Sequence, residues 1–142
     1  MREGWEKVRI GDLGRVVTGR TPPSIHPEYF GDAFQFVTPG DMHVDKRVWA
    51  TSRYVSNAGA DFLKRICLPA RTVCVSCIGW QMGNVVMTTA DAFTNQQLNS
   101  VITNERVVRR SMTRRSTRKN VNTCISMSMT AIVMRIAAFM QR

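Results

Sequence analysis

Short apolar stretches, separated by Gly, Pro and polar residues, fill the first hundred positions of the chain. That texture predicts strands and loops with few helices. Residues 8–10 read as a short strand, broken by Gly11-Asp-Leu-Gly14 and resumed at Val16 and Val17. Pro22-Pro23 excludes regular helix or central strand, so residues 18–32 should form an ordered irregular loop. Residues 34–37 read as a buried strand, ended by the turn chemistry of Thr38-Pro-Gly40. Asn57 is placed to cap a short helix running to residue 63. The clearest strand is 72–78, where Val and Ile alternate with small residues. A link with glycine at both ends, Gly79-Trp-Gln-Met-Gly83, and a return strand at 85–88 make a hairpin. Residues 93–97 are polar and loop-like, and 98–102 form a last strand.

The end of the chain has a different texture. Residues 109–120 are Arg, Ser, Thr, Lys and Asn with Met112 as the single large apolar side chain. Beyond them Val121, Ile125, Met129, Ile132, Val133, Ile136 and Met140 recur at spacings of three and four, an amphipathic helix pattern. Such a helix packs on its own domain or on a twin chain. Two basic residues and no flanking Trp argue against a membrane-surface helix. The pattern divides the chain into a domain over 1–105, a basic linker over 106–120 and a C-terminal helix over 121–142.

Charge sharpens this division. The 142-residue chain carries a formal net charge of +10. Residues 1–105 hold 11 Lys and Arg against 10 Asp and Glu, a net of +1, while residues 106–142 hold 9 Lys and Arg and no acid. An excess of this size points to a polyanion, with nucleic acid before an acidic membrane surface. Hydrophobic residues make up 44 %, enough for a core. No apolar run approaches the roughly 20 residues of a membrane span, and the first residues do not resemble a signal peptide. The expectation is a cytoplasmic chain with reduced thiols. Cys74 and Cys77 have zinc-like spacing, but no second pair follows. The alternation of Thr72-Val-Cys-Val-Ser-Cys-Ile78 favours core packing over a metal site, so neither metal nor cofactor is expected.

Enzyme constellations are thin. Gly11-x-x-Gly14 and Gly79-x-x-x-Gly83 lack the Lys-Ser/Thr of a phosphate loop. His43 between Asp41 and Asp45 reads as surface, and neither a nuclease-type carboxylate–lysine pattern nor Asn-Pro-Pro-Tyr occurs. Binding residues are richer. Arg20, Ser24, His43, Lys46, Arg47, Arg53, Tyr54, Trp80, Gln81, Asn84, Gln96 and Gln97 set cations beside amides and aromatics. Arg or Lys against guanine and Asn or Gln against adenine are the pairings that read a major groove, while separate cations set register on phosphates. Each also has a plain surface or structural reading, and Asn95-Gln-Gln97 suits the bracing of loop backbone.

The ordered motifs Trp5-Glu-Lys-Val-Arg-Ile-Gly-Asp-Leu-Gly14, Thr18-Gly-Arg-Thr-Pro-Pro-Ser24, Phe36-Val-Thr-Pro-Gly-Asp-Met42, Arg53-Tyr-Val-Ser56, Leu68-Pro69, Cys74-Val-Ser-Cys-Ile-Gly79 and Phe93-Thr-Asn-Gln-Gln97 are similar to a known family. Across about residues 5–104 the chain resembles a target-recognition domain from the specificity subunit of type I restriction–modification systems. The resemblance implies a mixed α/β (α+β) domain with a curved, mostly antiparallel β-sheet and a few short helices. It implies a non-catalytic chain that reads one half of a bipartite site in double-stranded DNA. The partners it implies are the methyltransferase (modification) subunit and the restriction subunit, which carry methyl transfer from S-adenosylmethionine and ATP-driven translocation. Two departures stand out. The chain holds one recognition half, and residues 106–142 lack the Leu, Glu and Gln-rich spacer helix of the family, as if read out of frame or replaced after about Asn104. Half-size subunits can pair, so a homodimer through the C-terminal stripe is an expectation. The alternative is a remnant without specific DNA binding, acting as an interaction module or as a non-specific basic binder.

Overall fold

The computed structural model describes residues 10–42, 46–79 and 82–104. Residues 8 and 9, His43, Trp80, Gln81, the basic linker and the helix expected over 121–142 lie outside the described residues.

The order of elements is α1 (Ile10–Leu13), β1 (Gly14–Thr18), β2 (Phe30–Gly31), β3 (Phe34–Val37), β4 (Arg47–Val48), β5 (Arg53–Val55), α2 (Asn57–Phe62), β6 (Val73–Ser76), β7 (Val85–Thr88), β8 (Ala92–Thr94) and β9 (Leu98–Thr103). Single 3₁₀ turns occur at Pro27–Tyr29, Pro39–Asp41 and Lys64–Ile66. The strands form two sheets, β1-β9-β6-β7-β4 and β2-β5-β3-β8. The β3–β8 and β4–β7 pairings are parallel and the others antiparallel. The α+β class and the antiparallel bias follow the sequence reading, but the single curved sheet becomes two.

Side-chain alternation explains the separation. Val17, Val37, Val48, Cys74, Val86, Ala92 and Leu98 come from strands of both sheets and form one buried cluster, so the sheets face each other across it. On the other face of β3 and β8, Phe36 and Phe93 join Val55 and Leu63 in a second cluster, with Ala60 of α2 packed against it. The layers are therefore five-stranded sheet, four-stranded sheet and helix. β6 is buried along its whole length, which is why 72–78 reads as a nearly unbroken apolar run.

α2 approaches closely because of glycine. A Cβ on Gly59 would lie 2.1 Å from the Tyr29 carbonyl oxygen and 2.7 Å from a Val55 methyl, so no larger residue fits without moving the helix.

Several local expectations change. Ile10 begins a one-turn helix rather than ending a strand, since the Gly11–Gly14 stretch winds before β1 pairs with β9. The α2 cap is Ser56, whose hydroxyl accepts from the Gly59 N–H at 3.2 Å, and Asn57 is the first helical residue. Phe93 and Thr94, expected as the start of a polar loop over 93–97, belong to the fully buried β8, placed by parallel pairing with β3 and by a bridge from Ala92 to Leu68. Arg47, Arg53 and Tyr54 stand on the short strands β4 and β5.

Cys74 is fully buried, its sulfur accepting from the Ser100 hydroxyl at 3.3 Å, and burial pushes its thiol up to about 11. It is a packing residue. Cys77 is half-buried and its sulfur accepts from Asn99 Nδ2 at 3.2 Å. Among the described residues no three His, Cys, Asp or Glu side chains converge as metal ligands, and no helix is long and apolar enough to cross a membrane.

Candidate nucleic-acid interface

Strand direction gathers the candidate residues. Thr18 pairs with Asn99, Ser76 with Leu98, Val75 with Val85, Val37 with Thr94 and Phe36 with Arg53. Hence β1, β3, β6 and β8 end, and β5, β7 and β9 begin, at one end of the two sheets, while the short β4 lies beside the last two residues of β7, Arg47 opposite Met87 and Val48 opposite Thr88. The segments crossing that end are 19–24, 38–46, 49–52, 77–84 and 95–97. Arg20, Lys46, Arg47, Arg53, Tyr54, Asn84, Gln96 and Gln97 all lie on these segments or on the strand residues beside them, with exposed Ser24 further along the first loop. The far end carries Gly14 paired with Thr103, and Asn104 there donates its N–H to Leu13 O and its side-chain amide to Asp12 O. Both limits of the described domain therefore lie away from the candidate residues.

Backbone contacts hold the loops to one another. Gly19 N–H donates to Leu98 O, Arg20 N–H to Thr94 O, Asn95 N–H to Val37 O and Cys77 N–H to Gln97 O, at 2.8–3.3 Å. A Cβ on Gly19 would sit 2.0 Å from Asn95 O and 2.3 Å from Thr94 Oγ1, so the 19–24 loop can seat against the 95–97 turn only with glycine. Within that turn Asn95 Nδ2 donates to Gln97 Oε1 and Gln97 N–H donates to Asn95 Oδ1. Gln97 thus braces the backbone, whereas exposed Gln96 accepts from the Thr21 hydroxyl at 2.7 Å and presents its amide at the surface.

A second node joins 38–41 to 51–54. Asp41 accepts from the Thr38 N–H (2.9 Å) and hydroxyl (2.7 Å) and from the Ser52 N–H (2.8 Å), while Tyr54 Oη accepts from the Thr51 N–H at 3.5 Å. Burial raises the Asp41 carboxyl, but the donors of Ser52 and Thr38 together outweigh it and leave the group below its ordinary 3.8. A depressed folded pKa gives stability that is present above that ordinary value and is lost as pH falls through the folded one. The expected result is an acid-sensitive node. Asp41→Asn should flatten the stability–pH curve below about pH 4 and loosen residues 38–52 at neutral pH, as measured by urea unfolding and amide exchange.

The chemistry of this end is cationic and amide-rich. Arg20 and Lys46 are exposed, Arg47 is half-buried, and Arg53 is exposed on β5 beside Tyr54. Asn84 is exposed at the start of the hairpin's return limb, its carbonyl accepting from Ser76 N–H. Trp49 is largely exposed, and Gln35 Nε2 donates to its carbonyl. Thr21 was not legible as a site residue, since its partner Gln96 lies far along the chain, whereas Thr38 and Asp41 are three residues apart and Asp41 carries their node on to Ser52. His43, Trp80 and Gln81 lie outside the described residues.

Comparison with known proteins gives this arrangement its family. The family model of the type I restriction modification DNA specificity domain matches residues 2–113. Over 99 residues the chain is 38 % identical to the type I restriction enzyme HindI specificity subunit of Haemophilus influenzae, covering 70 % of this chain and 21 % of that protein. The structure of the HsdS subunit from Thermoanaerobacter tengcongensis superposes with a TM-score of 0.50 at 13 % identity, covering 96 % of this chain and 38 % of that one. A chain from a structure of complex assembly in a type I R-M system gives 0.51 at 11 % identity, covering 98 % and 40 %. At such identities the structural likeness speaks for the fold alone. The chain spans about a fifth of the length of the curated relative and about two fifths of the structural ones. On the length and identity of these matches, the chain belongs to the type I restriction–modification DNA specificity domain family.

Proposed function

We propose that this chain recognises a short half-site in double-stranded DNA and does no chemistry of its own. The observation that carries the reading is the convergence of Arg20, Asn84 and Gln96, on loops tied to each other by backbone hydrogen bonds, with Arg53 at the start of β5, at one end of two packed sheets. Preorganised donors and acceptors at that end suit base edges in a major groove, and the cations suit the flanking phosphates. One domain of this size reaches one half of a bipartite target. The other half falls to a twin chain or a second domain. The modification and restriction subunits of a type I system are the proposed protein partners, directed to the site by the bound half.

Selection from a pool of random duplexes at about 150 mM salt, with and without a modification subunit, tests this reading. The expected result is enrichment of a short motif. A second reading, favoured by the acid-free tail with its nine cations, is purely electrostatic binding. It expects no motif and an affinity that collapses with salt.

A further inference from the structure

Two exposed arginines at the loop end place their guanidinium carbons over aromatic rings. The Arg53 guanidinium carbon lies 4.0 Å from the Phe30 centroid and 6.0 Å from that of Phe36, and those rings meet edge to face at 6.1 Å. The Arg20 guanidinium carbon lies 5.3 Å from the centroid of Phe62. Phe62 stacks on Tyr29 at 4.9 Å and 20°, and Tyr29 meets His26 at 5.0 Å, so Arg20 caps a row of three rings. Its backbone is fixed as well, through Arg20 N–H to Thr94 O and the glycine-dependent contact of the preceding residue. Neither guanidinium has a carboxylate partner among the described residues.

Cation–π attraction holds a guanidinium over a ring, and its N–H groups turned away from the ring stay open to a ligand. An arginine held this way presents a fixed planar fork, which matches the O6 and N7 acceptors of guanine. A phosphate accepts a cation from many directions and gains little from such fixing. Phe62 is 41 % exposed, a large apolar area left at the surface of a short helix. A platform role for that ring accounts for its position.

We propose that Arg20 and Arg53 each read one guanine of the target, with Phe62 and Phe30 as the positioning residues that hold their forks. The inference rests on the reading of the chain as a duplex-DNA recognition domain, and it adds which base is read and by which side chains. The test uses the full chain and the motif it selects. The motif is expected to contain guanine at two or more positions, and 7-deazaguanine at two of them should weaken binding about tenfold each. Arg20→Lys and Arg53→Lys should each relax discrimination about tenfold at a different guanine and abolish 7-deazaguanine sensitivity there. Phe62→Leu should reproduce the Arg20→Lys pattern, and Phe62→Tyr should restore the guanine preference. An equal loss of affinity on every sequence for the lysine variants would make these arginines phosphate contacts and overturn the inference, leaving half-site recognition intact. So would a motif without guanine. Failure to select any motif would overturn the recognition reading and this inference together.

Discussion

Replacing Phe93 with alanine should cost about 3–5 kcal/mol of folding stability, the usual range for emptying a buried phenylalanine site. Phe93 is 1 % exposed, packs with Phe36, Val55 and Leu63, and meets Phe34 edge to face at 5.9 Å. It also sits on the three-residue β8, in register with Phe36, so its loss removes the main side-chain anchor of a strand too short to persist on ladder hydrogen bonds alone. A domain of about this size has roughly 5–15 kcal/mol in total. Urea unfolding followed by far-UV circular dichroism should show the midpoint falling sharply, and Phe93→Leu should recover most of it. A loss below about 1 kcal/mol would mean that the second cluster is not a cooperative part of the fold.

The second large effect is expected at Gly19. An added methyl there must displace the Asn95 carbonyl, and overpacking of this kind costs about 1–3 kcal/mol. The larger consequence is for recognition. The 19–24 loop would move off the 95–97 turn, taking Arg20 and the Thr21–Gln96 contact with it. Misplacing these donors by an ångström breaks hydrogen-bond geometry while leaving net charge unchanged. Gly19→Ala should therefore lose about tenfold or more in affinity for a selected duplex while its binding to a scrambled duplex stays within about twofold. A parallel loss on both duplexes would show that the loop contributes charge and no reading.

The sequence carries part of this picture legibly. Fully buried β6 announces itself as an apolar run bounded by turn residues, and its hairpin with β7 follows from the glycines at both ends of the link. The irregular course of 19–26 follows from Pro22-Pro23, although the loop expected over 18–32 is shortened by the end of β1 at Thr18 and by β2 at Phe30–Gly31. By contrast β8 was invisible, because Ala92-Phe-Thr94 is too short to show a period and borrows its strand character from β3, more than fifty residues earlier. The short β2, β4 and β5 are hidden for the same reason, and with them the placing of Arg47, Arg53 and Tyr54 on sheet edges and starts.

The candidate residues behave similarly. Their types were readable as groove-reading chemistry, but their convergence depends on strand direction, which no local pattern reports. The division of labour inside Asn95-Gln-Gln97 was equally hidden. Alternate side chains of a tight turn point apart, so Gln97 closes onto Asn95 while Gln96 reaches Thr21 across seventy-five positions of sequence. The rings under Arg20 and Arg53 look like ordinary core aromatics in sequence. Only the geometry shows that they lie beneath cations.

The central claim is that the loop end reads sequence and the basic tail does not. The direct measurement is the ratio of affinities for a selected and a scrambled duplex between about 50 and 300 mM salt. It is made on the natural chain and on a variant with Arg110, Arg114, Arg115 and Arg118 changed to glutamine. Two or three read base pairs at about 1–3 kcal/mol each predict a ratio of about thirty or more. That ratio should hold across the salt range and survive in the tail variant, even as both absolute affinities fall. A ratio near one, or a ratio that disappears with the four tail arginines, would contradict the account and leave the tail cations as the whole of the binding.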